Sequence, residues 1–206
     1  MKKIRFDDCI CKDKLVDHGK IREQILWHID KSADRSSLDQ QTNITKVDWD
    51  KASDFERPWV KLFLPKFSSV VKEMIYSMGY RSLKIKECWY QQYNEGSCHS
   101  WHIHSDHFTG VYYLEYPKGS SKTEICSPFS LKIKKIDVKE GDIIIFPSHW
   151  IHRSGVNTSS RKTIISYNFS IHTAPWGKEI NVARSGFFSS DRSIRDYCNR
   201  IWGIPN

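Results

Sequence analysis

The sequence predicts an α+β fold in which helices come first and a sandwich or barrel body of short strands follows. Two patterns and one absence carry this expectation. Apolar residues recur at spacings of three and four in the first 80 residues, and from Ser82 onward the period changes to two. No internal repeat, low-complexity tract or linker divides the 206 residues, so one domain is expected. It would comprise a helical region over 1–80, a strand core over 81–175 and a C-terminal segment over 176–206.

The elements follow in order. Ile21, Ile25, Leu26 and Ile29 mark a first helix. Val60, Leu64, Phe67, Val71, Met74 and Ile75 mark a longer amphipathic one from about Pro58 to Met78. Pro58 suits its first turn and Gly79 its stop, while Pro65 inside it predicts a kink or two shorter helices. Leu83, Ile85, Trp89, Gln91 and Tyr93 would share one face of the first strand. Segments 108–116, 130–136, 142–146 and 162–171, rich in Val, Ile, Tyr and Phe, follow as further strands. Turn residues such as Asn94-Glu95-Gly96, Pro117-Lys118-Gly119 and Glu140-Gly141 separate them. The tail around 190–201 reads as a helix with Asp191 near its start.

Composition narrows the class. With 39% hydrophobic and 27% charged residues the chain reads as an ordinary globular protein. No window approaches the roughly 18 apolar residues of a membrane span. The start carries charge without a following apolar stretch, so no signal peptide is expected and the default compartment is the cytoplasm. Six cysteines (9, 11, 88, 98, 126 and 198) read as reduced thiols there, and the Cys9-x-Cys11 pair lacks a second pair at zinc-site spacing. The net charge of +8 favours an anionic substrate or partner. Nucleic acid is not favoured, because the basic residues are spread along the chain apart from Lys132-Ile133-Lys134-Lys135.

The histidines carry the chemistry. Six of nine fall in two windows, 98–107 and 146–153. His102 and His104 stand two apart, which on an extended strand puts both imidazoles on one face. His152 follows the aliphatic run Ile143-Ile144-Ile145-Phe146 and a Pro147-Ser148 turn. Two ligands from one strand and a third from another make a facial set that leaves positions open, as a non-haem iron centre requires. Nine residues after His152, Arg161 opens a strand and offers a planar, permanently charged partner for a carboxylate, with Thr163 pointing the same way.

Three motifs now stand in order: His102-Ile103-His104, Thr109-Gly110-Val111-Tyr112-Tyr113-Leu114, and Gly141-Asp142-Ile143-Ile144-Ile145-Phe146-Pro147-Ser148-His149-Trp150-Ile151-His152. Over about 80 residues the segment from Trp89 to Phe169 resembles the 2-oxoglutarate/Fe(II)-dependent oxygenase superfamily, in its hydroxylase-like branch with His-x-His and a distant His. The resemblance implies a double-stranded β-helix, a jelly-roll barrel with metal ligands at the ends of facing strands. It implies Fe(II), 2-oxoglutarate as cosubstrate and O2, with Arg161, Tyr113 and Thr163 at the distal carboxylate and Tyr93 lining its pocket. His99, His107, Trp150 and Glu124 become candidates for the substrate mouth.

Most members of that superfamily use His-x-Asp/Glu, and His104-Ser105-Asp106 also satisfies that pattern. Asp106 with His104 therefore stays open as an alternative to His102 with His104. A three-histidine metal-binding barrel, or a dioxygenase that does not use 2-oxoglutarate, is the alternative function. The substrate itself is not legible.

Overall fold

A computed structural model describes residues 10–38, 42–78, 80, 82–128 and 130–171. The predicted tail helix, Asp191, Gly79, Cys9 and Cys198 lie outside the described residues. Eleven strands and two α-helices are described: β1 (Cys11–Lys14), α1 (His18–Lys31), β2 (Arg35–Leu38), β3 (Asn43–Val47), α2 (Pro58–Ser77), β4 (Leu83–Asn94), β5 (His99–His102), β6 (Phe108–Glu115), β7 (Thr123–Cys126), β8 (Ile133–Lys135), β9 (Asp142–Pro147), β10 (His152–Ser154) and β11 (Arg161–Ile171). A 3-10 turn, Trp49–Lys51, precedes α2.

All strand pairs are antiparallel, in a seven-stranded sheet ordered β1-β9-β6-β11-β4-β3-β2 and a four-stranded sheet ordered β5-β10-β7-β8. This is the jelly-roll body expected, with α1 and α2 packed on the outer face of the large sheet. The first 80 residues hold strands as well as helices. β1, β2 and β3 are short and mostly polar, so they show no period-two apolar signal. They extend the large sheet at both edges.

Each face of the large sheet has its own core. Ile21, Ile25, Ile29, Val60, Phe63, Phe67, Val71 and Ile75 from the helices pack on Tyr90, Tyr112, Leu114, Ile143, Ile145, Ile165, Tyr167 and Phe169. Between the sheets lie Trp89, Tyr93, Val111, Tyr113, Ile125, Ile144, Phe146, Trp150 and Ile164. The strand alternation thus sorts Tyr112 from Tyr113 and Ile164 from Ile165. Gly110 is needed here, because a Cβ would collide with the Tyr167 ring and hydroxyl, which donates to the Ile144 carbonyl at 3.1 Å.

Helix α2 runs uninterrupted through Pro65 rather than dividing there. The hydrogen bond that Pro65 cannot donate is offset by an apolar stripe that is buried on both sides of it. At its start, Arg57 bonds Asp48 and the Cys88 carbonyl, both buried. Asp48 also accepts from Trp59 Nε1 at 3.1 Å and from the Tyr90 backbone N–H at 2.9 Å. This buried knot pins α2 to β4. Burial pushes the Asp48 carboxyl up to about 6 against the opposing pull of Arg57.

Candidate metal centre

His102 ends β5 and pairs across the small sheet with His152 at the start of β10. His104 lies just past the strand end, where its backbone N–H donates to the Ser148 carbonyl at 3.0 Å. The Pro147-Ser148 turn therefore sets the approach of both His104 and His152. The ring centroids stand 4.2 Å apart for His102 and His152, and 5.0 Å for His104 with either of the others.

The donor set suits a metal ion. Ligand atoms of His102, His104 and His152 all lie within 4.8 Å of one another, the one such cluster found among the described residues. His104 Nε2 and His152 Nε2 face each other at 3.2 Å. Two nitrogens at about 2.1 Å from one ion would be separated by about 3.0 Å at a right angle and about 3.4 Å at a tetrahedral one. The Nδ1 atoms of His102 and His152 contact the carbonyls of Ser100, at 2.7 Å, and Trp150, at 2.9 Å. An Nδ1–H donor at each leaves its Nε2 lone pair for a metal. Burial lowers all three imidazoles, His104 to about 4 and His152 to about 2. They are neutral near pH 7, the form that binds metal.

Asp106 does not join them: its Oδ1 accepts from Ser170 Oγ at 2.9 Å. The cluster is three histidines without a carboxylate. Iron fits such a set, as do other imidazole-binding metals.

Tyr93 and Tyr113 lie inside the barrel, both fully buried. Tyr113 shares a 2.6 Å hydrogen bond with Thr123 Oγ1. The Tyr93 hydroxyl is 2.7 Å from the Gln91 amide, whose oxygen in the better-satisfied orientation accepts from the Trp89 and Trp49 indoles.

Arg161 and Thr163 are not brought to the histidines. Both sit on the helix side of β11. Arg161 donates to Glu115 at 2.7 and 3.0 Å and to Asp30 at 3.1 and 3.2 Å, while Thr163 donates to Glu115 at 2.8 Å. Lys162 occupies the inward face instead. Its Nζ, fully buried, lies 4.3 Å from the centroid of the Tyr93 ring. It donates to the Ser121 carbonyl at 3.1 Å, Ser121 Oγ at 2.7 Å and Ser154 Oγ at 2.5 Å. Burial pulls its ammonium down to about 7. Arg161 and Lys162 differ by one residue of strand parity and so face opposite sides of the sheet. The signal for Lys162 was its alternation with Ile164, Ser166 and Asn168, but no periodicity states which face is inward.

The space among the histidines, Trp89, Gln91, Tyr93, Thr123, Ser154 and Ser166 is narrow, about 20 Å³, room for one water-sized occupant. A groove of about 630 Å³ opens beside it, sharing His99, Arg153 and Ser154 with that space. His99 stacks on His102 at 3.9 Å, and Glu124 binds Arg153 and Lys135 along the groove. Trp150 is buried in the inter-sheet core, and His107 Nδ1 accepts from the Ile171 N–H at 3.1 Å. No helix among the described residues is long and apolar enough to cross a membrane.

Neither a family model nor a curated protein sequence matches the chain. Solved structures do. A 2OG-Fe(II) oxygenase family oxidoreductase from Burkholderia pseudomallei aligns with TM-score 0.65 and 14% identity, over 81% of this chain and 87% of that one. The viral collagen prolyl hydroxylase of Paramecium bursaria Chlorella virus-1, solved with 2OG, aligns at 0.59 and 17%, over 79% and 96%. A Trichoplax adhaerens prolyl hydroxylase bound to a hypoxia inducible factor peptide aligns at 0.60 and 17%, over 86% and 88%. The chain has the double-stranded β-helix fold of these oxygenases, and it carries a three-histidine cluster able to hold a metal ion.

Proposed function

We propose that the chain is a non-haem Fe(II) dioxygenase that uses 2-oxoglutarate to hydroxylate a substrate, with release of succinate and CO2. The observation that carries this reading is the pairing of two unlike features in one barrel. A cluster of neutral imidazoles, with the Nε2 atoms of His104 and His152 face to face, shares the inter-sheet space with the buried amine of Lys162 on an inward-facing strand position. A metal-binding barrel has no need of Lys162, since burying an ammonium among neutral acceptors, with no carboxylate beside it, is costly enough to pull its pKa down to about 7. An anionic ligand offsets that cost.

His102, His104 and His152 would hold the iron, which with 2-oxoglutarate and O2 supplies oxidative decarboxylation coupled to C–H hydroxylation. Lys162 takes the place first expected of Arg161, as the charged partner of the distal carboxylate. It exchanges the hydroxyls of Ser121 and Ser154 for carboxylate oxygens, and the serines can then donate to the same group. Tyr93 and Tyr113 wall the cosubstrate from water. Admission of 2-oxoglutarate requires these side chains to move apart, because the space between them holds no more than a water. The groove bearing His99, Trp101 and Arg153 is the approach for the substrate.

Anaerobic addition of Fe(II) and 2-oxoglutarate should produce the charge-transfer absorption of a chelated 2-oxoacid, and admission of O2 should then yield succinate. If Fe(II) binds but no band develops at saturating 2-oxoglutarate, the cosubstrate assignment fails. A three-histidine dioxygenase independent of 2-oxoglutarate then takes its place.

A further inference from the structure

The three histidines are supported unequally. An imidazole that binds metal through Nε2 carries its proton on Nδ1 and needs an acceptor there. His102 and His152 have theirs, the Ser100 and Trp150 carbonyls. His104 Nδ1 instead faces the side-chain amide of Asn168, presented through its nitrogen at 3.5 Å. That same nitrogen donates to Glu87 Oε2 at 2.8 Å. Asn168 Oδ1 is buried and has no hydrogen-bond partner, in a residue only 3% exposed. A buried acceptor left unmatched costs about 1–3 kcal/mol unless something uses it.

The amide orientation in the structure matches one proton arrangement. With the amide nitrogen toward His104 Nδ1, that atom is an acceptor, and the His104 proton sits on Nε2. It then points at His152 Nε2, 3.2 Å away, which is an acceptor because its own ring donates through Nδ1. A metal ion shared by the Nε2 atoms demands the opposite tautomer of His104. Its Nδ1–H then faces an amide N–H, a donor against a donor.

We propose that Asn168 is the positioning residue of the metal centre, and that its amide turns over when metal binds, so that Oδ1 accepts from His104 Nδ1–H. Glu87 is the brake on this turn, since it holds the amide in its donor orientation. The turn gives Oδ1 a partner in His104 Nδ1–H and releases the Glu87 carboxylate, while the amide nitrogen moves to the buried place that Oδ1 leaves, so the His104–metal bond must offset the loss of the Glu87 hydrogen bond. Glu87 is only half-buried and can rotate into water. The inference rests on reading the three histidines as a metal site and is independent of 2-oxoglutarate.

Zn(II) is a suitable diamagnetic probe of the full chain. Long-range ¹H–¹⁵N spectra report which ring nitrogen of His104 carries the proton, and chelator competition reports affinity. The expected result is Nε2–H without Zn(II) and Nδ1–H with it. Asn168→Leu, of similar size but without an acceptor, should weaken Zn(II) binding 10- to 100-fold. Glu87→Gln, which can donate to the turned Oδ1, should tighten it roughly tenfold. A structural role for Asn168 alone predicts no gain from Glu87→Gln. The proposal is overturned if His104 carries Nδ1–H in both states, or if Glu87→Gln leaves affinity within twofold. Should the wild-type chain fail to bind Zn(II), this inference and the metal-site reading fall together. Should it bind with no tautomer change, only this inference falls.

Discussion

Arg161 and Lys162 are consecutive in β11, yet their charges end on opposite sides of the seven-stranded sheet. Arg161 meets Glu115 and Asp30 under α1, and Lys162 meets Ser121 and Ser154 inside the barrel. One residue of strand parity separates a structural ion pair from a candidate cosubstrate partner.

The two side chains therefore predict opposite phenotypes. Lys162→Met should weaken 2-oxoglutarate binding roughly 10- to 100-fold, the range for losing a hydrogen-bonded charge. Arg161→Met should leave that binding unchanged and cost about 1 kcal/mol or less of stability, because its ion pairs are partly exposed. Titration calorimetry with Mn(II)-loaded protein measures the first and urea unfolding the second. Tight 2-oxoglutarate binding by Lys162→Met would remove the basis for its role.

Acidity gives an independent handle on the same lysine. Its folded-state pKa is pulled to about 7 from an ordinary 10.5. Between those values the unfolded chain binds more protons than the folded one, so stability should rise with pH across that window. The contribution is fully present above pH 10.5 and lost as pH falls through 7. Lys162→Met should flatten the slope. A carboxylate bound to Lys162 favours the ammonium, so 2-oxoglutarate binding at pH 8 should take up close to one proton and weaken at higher pH. Calorimetry in two buffers of different ionisation enthalpy counts that proton; Arg161 as the partner would give none.

Metal affinity should discriminate among the candidate ligands. His152→Ala and His104→Ala should each abolish stoichiometric binding of Fe(II) or Co(II), while Asp106→Asn should change affinity by less than threefold. Asp106 is occupied by Ser170 Oγ and stands outside the cluster. Equilibrium dialysis with metal analysis reads this directly. Adding metal at 100 times its dissociation constant should stabilise the wild-type fold by about 2.7 kcal/mol, and chelation should reverse it.

The Asp48–Arg57 knot predicts a purely structural effect. Arg57→Met leaves the Asp48 carboxylate buried with only the Trp59 and Tyr90 N–H donors, and should cost about 3–5 kcal/mol. Chemical unfolding followed by tryptophan emission measures it. A loss under 1 kcal/mol would mean that Asp48 simply protonates, consistent with its raised pKa.

Much of this protein is written in local pattern. The period-two runs mark β4, β6, β9 and β11, the period of 3.6 marks α1 and α2, and the two histidine windows mark the cluster, because each signal depends only on near neighbours along the chain. β1, β2 and β3 carry no such signal because they are short and mostly polar; what makes them strands is the pairing of β1 with β9, β3 with β4 and β2 with β3, which no local period records. Pro65 predicts a kink or two shorter helices, and the division does not occur because long-range burial keeps α2 in one piece.

The amino-acid sequence by itself determined the histidine spacing, an α+β chain with a sandwich or barrel body, and the placing of a basic strand shortly after the third histidine. Only the tertiary structure decided that His102 and not Asp106 joins His104 and His152 in the cluster, and that Lys162 and not Arg161 faces inward. Both choices turn on which side of a strand or turn meets the second sheet. That is fixed by packing between segments some 50 residues apart, such as His104 against His152, and by the helices that cover the opposite face.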